Sequence, residues 1–149
     1  MVGFMPAPDP TQELLLRDAR FAGIAGDHRF AMSLEWRQDI LHLVIDGVNT
    51  QAVPDVFVAK VEAAVAALGK PPSAIDFTKC VHLSSMVLAY LVHFIKLTRQ
   101  GPTGKLPVYG ANARVQTLLK MVGLTDLFLV VPDAAAAAAY FAKGAKTPT

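Results

Sequence analysis

At 149 residues, with 53% hydrophobic and 17% charged residues, the chain is long enough to bury one core and too apolar to be disordered. Its net charge of +2, from 14 Lys and Arg against 12 Asp and Glu, is spread without a basic block, which excludes a surface that tracks nucleic-acid phosphates. Cys80 is the only cysteine, so no internal disulfide can form, and the N-terminal MVGFMPAPDP lacks the charged and continuous apolar parts of a signal peptide. The most hydrophobic stretch, Val87–Leu97, carries His93 and Lys96 and is too short for membrane insertion. A soluble, cytoplasmic protein is expected.

Residues 1–8 are Pro-rich and expected to be disordered. Asp9-Pro10-Thr11-Gln12 then starts a helix, with Asp9 as N-cap, Pro10 at the first helical position and Gln12 closing a capping box. This helix carries Leu14, Leu15 and Ala19 and is expected to end near Gly23 or Gly26. It reads as an extension, residues 1–28, since so short a segment has no core of its own.

From Arg29 the period changes to two. Phe30, Met32, Leu34 and Trp36 alternate with Arg29, Ala31, Ser33 and Glu35, which predicts a strand with one buried face. Arg37-Gln38-Asp39 turns the chain into a second apolar strand, Ile40–Ile45, ended by Asp46-Gly47, and the two strands form a hairpin. Pro54 opens a helix with Phe57, Val61, Ala64 and Leu68 on one stripe, stopped by Gly69 and Pro71-Pro72. Ala74–Phe77 is a short strand, and Cys80–Leu83 leads out to Ser84-Ser85 and a helix expected to reach about Gln100. Leu106–Tyr109 is a strand in which Pro107 suggests an exposed edge or a bulge. Asn112 caps a helix stopped by Gly123, Phe128–Val131 is the last strand, and Asp133 caps a closing helix through about Ala142. The tail, residues 143–149, is expected to be loose. After the hairpin, strands and helices alternate, which predicts an α/β domain over residues 29–142: a mostly parallel sheet covered by helices.

Chemistry is sparse. His28, His42, His82 and His93 have no metal-ligand spacing, Cys80 reads as a small buried hydrophobe, and no nucleophile elbow or nucleotide-binding glycine loop is present. No catalytic residue, metal or cofactor is therefore expected. The exception is Ser84-Ser85, where a strand runs into a long helix. A hydroxyl there lies beside unpaired backbone N–H groups and the positive end of the macrodipole. Most serines at such a place are simple caps. A phosphate would add nearly two negative charges that the helix end tolerates and a docked partner would not.

The run from Ile75 to Leu88, IDFTKCVHLSSMVL, resembles the central signature of the STAS (anti-sigma factor antagonist) family: a strand with an Asp, then Asp-Ser-Ser/Thr-Gly-Leu opening a helix. Counted from Asp76, Ser84 stands where the family has its acidic residue, Ser85 on the phosphorylatable serine, and Val87 where the family has Gly. A shift of one residue puts Ser84 on that serine instead. Asp46-Gly47, the strand with Gly110, and the helix with Leu118-Leu119 and Gly123-Leu124 extend the likeness over roughly residues 29–142. The resemblance implies a non-enzymatic bacterial regulatory domain. Its partners would be an anti-sigma factor or related serine kinase and a phosphatase, with phosphorylation at Ser85 (or Ser84). The implied docking surface is Gly47, Asn49 and Thr50 with Ser84, Ser85 and Met86. The alternative is a STAS subunit of an ABC-type lipid transporter or signalling assembly, without the phosphate switch. A homodimer stays open.

Overall fold

The computed structural model of the protein describes residues 7–98, 102–121 and 123–145. The chain runs α1 (Pro10–Asp18), β1 (Arg20–Ala25), β2 (His28–Arg37), β3 (Ile40–Asn49), α2 (Asp55–Ala67), β4 (Ser73–Leu83), α3 (Ser85–Leu97), β5 (Leu106–Tyr109), α4 (Ala113–Met121), β6 (Phe128–Val130) and α5 (Ala134–Ala145). The six strands form one sheet in sequential order, antiparallel from β1 to β3 and parallel from β3 to β6. The expected α/β architecture is the one observed.

Sequential order has a consequence for the layers. Each parallel step moves the same way across the sheet, so crossovers of one hand place α2, α3 and α4 on one face. There they bury the main core, in which Phe57, Val61, Leu91 and Phe94 meet Leu43, Ile45, Ile75 and Phe77. Burying a side chain of this size contributes about 1.5–3 kcal/mol. After β6 the chain folds back, and α5 covers the opposite face with a smaller cluster of Ala137 against Ile40, Ala74 and Tyr109.

Local signals explain most boundaries. Asp9 and Gln12 form the expected capping box, Asn112 Oδ1 accepts from Val115 N at 2.9 Å, and Asp133 Oδ1 accepts from Ala136 N at 2.8 Å. The β2–β3 turn is tight, with Gln38 and Asp39 both at positive φ (55° and 64°).

Four expectations are corrected. The first helix stops at Asp18, and Arg20–Ala25 is a sixth strand, β1, at the sheet edge rather than helix. The extension is thus part of the domain, and Phe21 from β1 packs edge-on against Phe57 of α2 at 4.8 Å. Ala74–Phe77 and Cys80–Leu83 are one 11-residue strand, β4, kept in step with β3 by two register shifts. Pro107 lies in an interior strand, not at an edge. Leu106 N bonds Leu127 O toward β6, so the N–H that Pro107 lacks falls on the β4 side, where the ladder begins only at Val108. Lastly, α5 continues to Ala145, past the expected start of a loose tail. The expectations for residues 1–6 and 146–149 lie outside the described residues.

Candidate functional site

The parallel strands β3, β4 and β5 each deliver the chain at the same end of the sheet into a helix, so the N-termini of α2, α3 and α4 share that end. Three hydrogen-bonded ties fix it. Ser84 N donates to Asn49 O at 3.0 Å, locking the end of β4 to the end of β3. The Asn49 side chain donates to Asp46 O at 2.8 Å. Asn112 Nδ2 donates to Cys80 O and Val81 O at 3.2 and 3.1 Å while its Oδ1 caps α4.

The two serines differ. Ser84 is the N-cap of α3, in extended conformation, and its Oγ accepts from Val87 N at 3.4 Å. Ser85 is the first helical residue; its side chain is exposed, and its hydroxyl makes no hydrogen bond among the described residues. Met86 beside it is 53% exposed and Val81, at the end of β4, is 51% exposed. Val56, in the first turn of α2, adds a third large apolar side chain open to solvent at this end.

The remaining expected docking residues separate. Thr50 is half-buried in the loop after β3. Asn49 is only 2% exposed, so it holds the β3–β4 ends together rather than meeting a partner. Gly47 lies within β3, which runs on to Asn49 instead of ending at Gly47, and pairs with Phe30 and Cys80. Its φ is +81°, and a Cβ there would collide with the Arg29 carbonyl oxygen. Gly47 is thus required by close backbone approach within the sheet, where it stays half-buried. Cys80 is buried, and burial first, then the Asp46 charge, pushes its thiol up to about 12, far from a reactive thiolate. Among the described residues no group of three or more His, Cys, Asp or Glu could hold a metal ion. No protein-family model matches the chain, and no curated protein does.

A second polar constellation escaped the sequence reading. On the α5 face, His42, fully buried, pairs with Tyr109 at 2.7 Å (Nδ1 to Oη) and with the Arg37 carbonyl at 3.0 Å (Nε2 to O). The carbonyl can only accept, so Nε2 carries the proton and Nδ1 accepts from the phenol. Arg37 Nη2 reaches Asp76 Oδ2 at 3.0 Å and Tyr109 Oη at 3.4 Å, and Asp76 Oδ1 accepts from Thr78 N at 2.8 Å. Burial pushes His42 down to about 4, helped by the Arg37 charge, so it stays neutral. Burial and the Asp76 charge raise Tyr109 to about 12, so the phenol keeps its proton. His42, Tyr109 and Asp76 each have a hydrogen-bonded partner, whereas Arg37 Nε lies 3.0 Å from Glu35 Oε1 without a hydrogen bond, and the set clamps β2, β3, β4 and β5 together. The only signal for it in the sequence is a His and an Asp inside otherwise apolar strands, where a polar group needs a partner.

Proposed function

We propose that this chain is a non-enzymatic docking domain of the STAS type, which binds an anti-sigma factor or related serine kinase in the bacterial cytoplasm. Phosphorylation of Ser85 ends the contact, and a phosphatase restores it. The observation that carries this reading is the division of labour at the start of α3. Ser84 caps the helix, which leaves the Ser85 hydroxyl exposed and free to be modified without removing the cap. A phosphate on Ser85 would sit at the positive end of α3, favourable for the folded chain by about 0.3–1 kcal/mol. The same charge beside the exposed Met86 would repel a partner resting on that apolar side chain.

Two further features support it. The order of strands and helices follows the arrangement implied by the sequence resemblance, and the buried Cys80 thiol is unsuited to act as a nucleophile. The test is a titration of an anti-sigma-type serine kinase from the same genome with wild type, Ser85→Ala and Ser85→Asp. Ser85→Ala should bind as wild type does, and Ser85→Asp should bind more weakly by about 1–3 kcal/mol. Equal affinity for all three overturns the switch. Should the chain instead bind a transporter ATPase subunit regardless of Ser85, the structural-subunit reading replaces it.

A further inference from the structure

The two edges of the sheet are unlike. β6 is three residues long and is followed closely by Pro132, both devices that blunt an edge. β1, RFAGIA, is six residues, pairs in unbroken register with β2 alone among the described residues, and carries no Pro, Lys, Asp, Glu or bulge. Its one charge, Arg20, is at its very start. α1 does not shield it, because Leu16 of α1 and the capping Ala19 pack into the core on the α2 face. Ile24 projects from β1 at 72% exposure, on the face opposite the main core.

We propose that β1 is a self-association edge, where a second copy of this chain adds its own β1 antiparallel across a two-fold axis at Gly23. A two-fold pairing keeps like faces together only when a residue lies opposite itself, so the axis passes through one residue of the strand. Centring on Gly23 sets Ala22 opposite the second copy's Ile24 and Phe21 opposite its Ala25. Both exposed isoleucines are then covered by a small residue. Arg20 of each copy falls beyond the last rung, at the Gly26-Asp27 turn of the other, where Asp27 carries the opposite charge. Centring on Ala22 would instead set Arg20 against Ile24 and forfeit both. The result is a continuous twelve-stranded sheet that leaves the Ser85 end of each copy free. Strands this short, with small side chains, bury less than the roughly 1,200 Å² of a standard stable interface, so the dimer is of the weak, concentration-dependent kind.

Sedimentation velocity of the purified chain up to millimolar concentration tests this. Wild type is expected to pass from monomer to dimer, and Ile24→Lys, an exposed change, to stay monomeric with an unaltered circular-dichroism spectrum and Tm. The register is read by mixing Ala22→Cys with Ile24→Cys under mild oxidation. The mixture should give a crosslinked dimer far faster than either variant alone, since Cys80 is buried. A wild type that is monomeric throughout overturns the proposal. So does a dimer that Ile24→Lys leaves intact, or one in which crosslinking shows no preference for the mixed pair.

Discussion

Tyr109 donates its phenolic proton to Nδ1 of His42, and the Arg37 carbonyl fixes the imidazole tautomer that makes this possible. These residues come from β5, β3 and the end of β2, so the contact ties the antiparallel hairpin to the parallel part of the sheet under α5. Its strength depends on His42 being neutral.

That dependence sets a pH window. The folded His42 is pushed down to about 4, below its ordinary value of 6.5, by burial and then by the Arg37 guanidinium. Between these values the unfolded chain takes up a proton that the folded chain refuses. Stability is therefore complete above pH 6.5 and declines as pH falls toward 4, by about 3 kcal/mol at the lower end. Asp76 adds a second loss at lower pH. Burial raises its pKa, but the bonds from Thr78 and the charge of Arg37 outweigh that and hold it below the usual carboxylate range. Its contribution is present above that range and lost as pH falls through the depressed value. Urea unfolding of wild type and His42→Gln at a series of pH values checks this. The variant should be less stable at neutral pH yet nearly flat between pH 6.5 and 4.

Gly47→Ala should destabilise the fold by about 2–4 kcal/mol, because a Cβ cannot share the space of the Arg29 carbonyl and the residue needs positive φ. The β2–β3 pairing would have to part locally. The urea midpoint reads the loss, and a midpoint within error of wild type would contradict the close approach.

The two serines should separate in stability alone. Ser84→Ala removes the cap of α3 and should cost about 1 kcal/mol, whereas Ser85→Ala, at an exposed first helical position with an unbonded hydroxyl, should change little. Thermal denaturation of the two variants side by side gives the comparison. Equal losses would mean that Ser85 also serves the helix end, and the division of labour would fall.

Which features were legible in the sequence follows from the range of the forces involved. Caps act over three residues, so Asp9, Asn112 and Asp133 announce their helices, and the apolar stripe of Phe57, Val61, Ala64 and Leu68 marks the buried side of α2. β1 was hidden because an edge strand of Ala and Gly, exposed at every second position, has little apolar alternation, and the helical pattern before it has no glycine or proline to stop it. In the folded chain that helix ends where the Ala19 N–H bonds back to Leu15 O and Leu16 O. The clamp was hidden for another reason: Arg37 meets Asp76 and Tyr109 across 39 and 72 positions of chain, and only the sheet order brings them together. At the Ser85 end the serine pair was visible, but the roles of Gly47 and Asn49 were not. Both depend on what β2 and β4 place against β3.

The central claim is that Ser85 is the residue through which this end is switched. The most direct measurement is site-mapped mass spectrometry after incubating the chain, Ser84→Ala and Ser85→Ala with ATP and an anti-sigma-type serine kinase of the same genome. A single phosphate on Ser85, retained in folded Ser84→Ala and absent from Ser85→Ala, is the predicted result. No incorporation, or a phosphate that survives in Ser85→Ala, would contradict it.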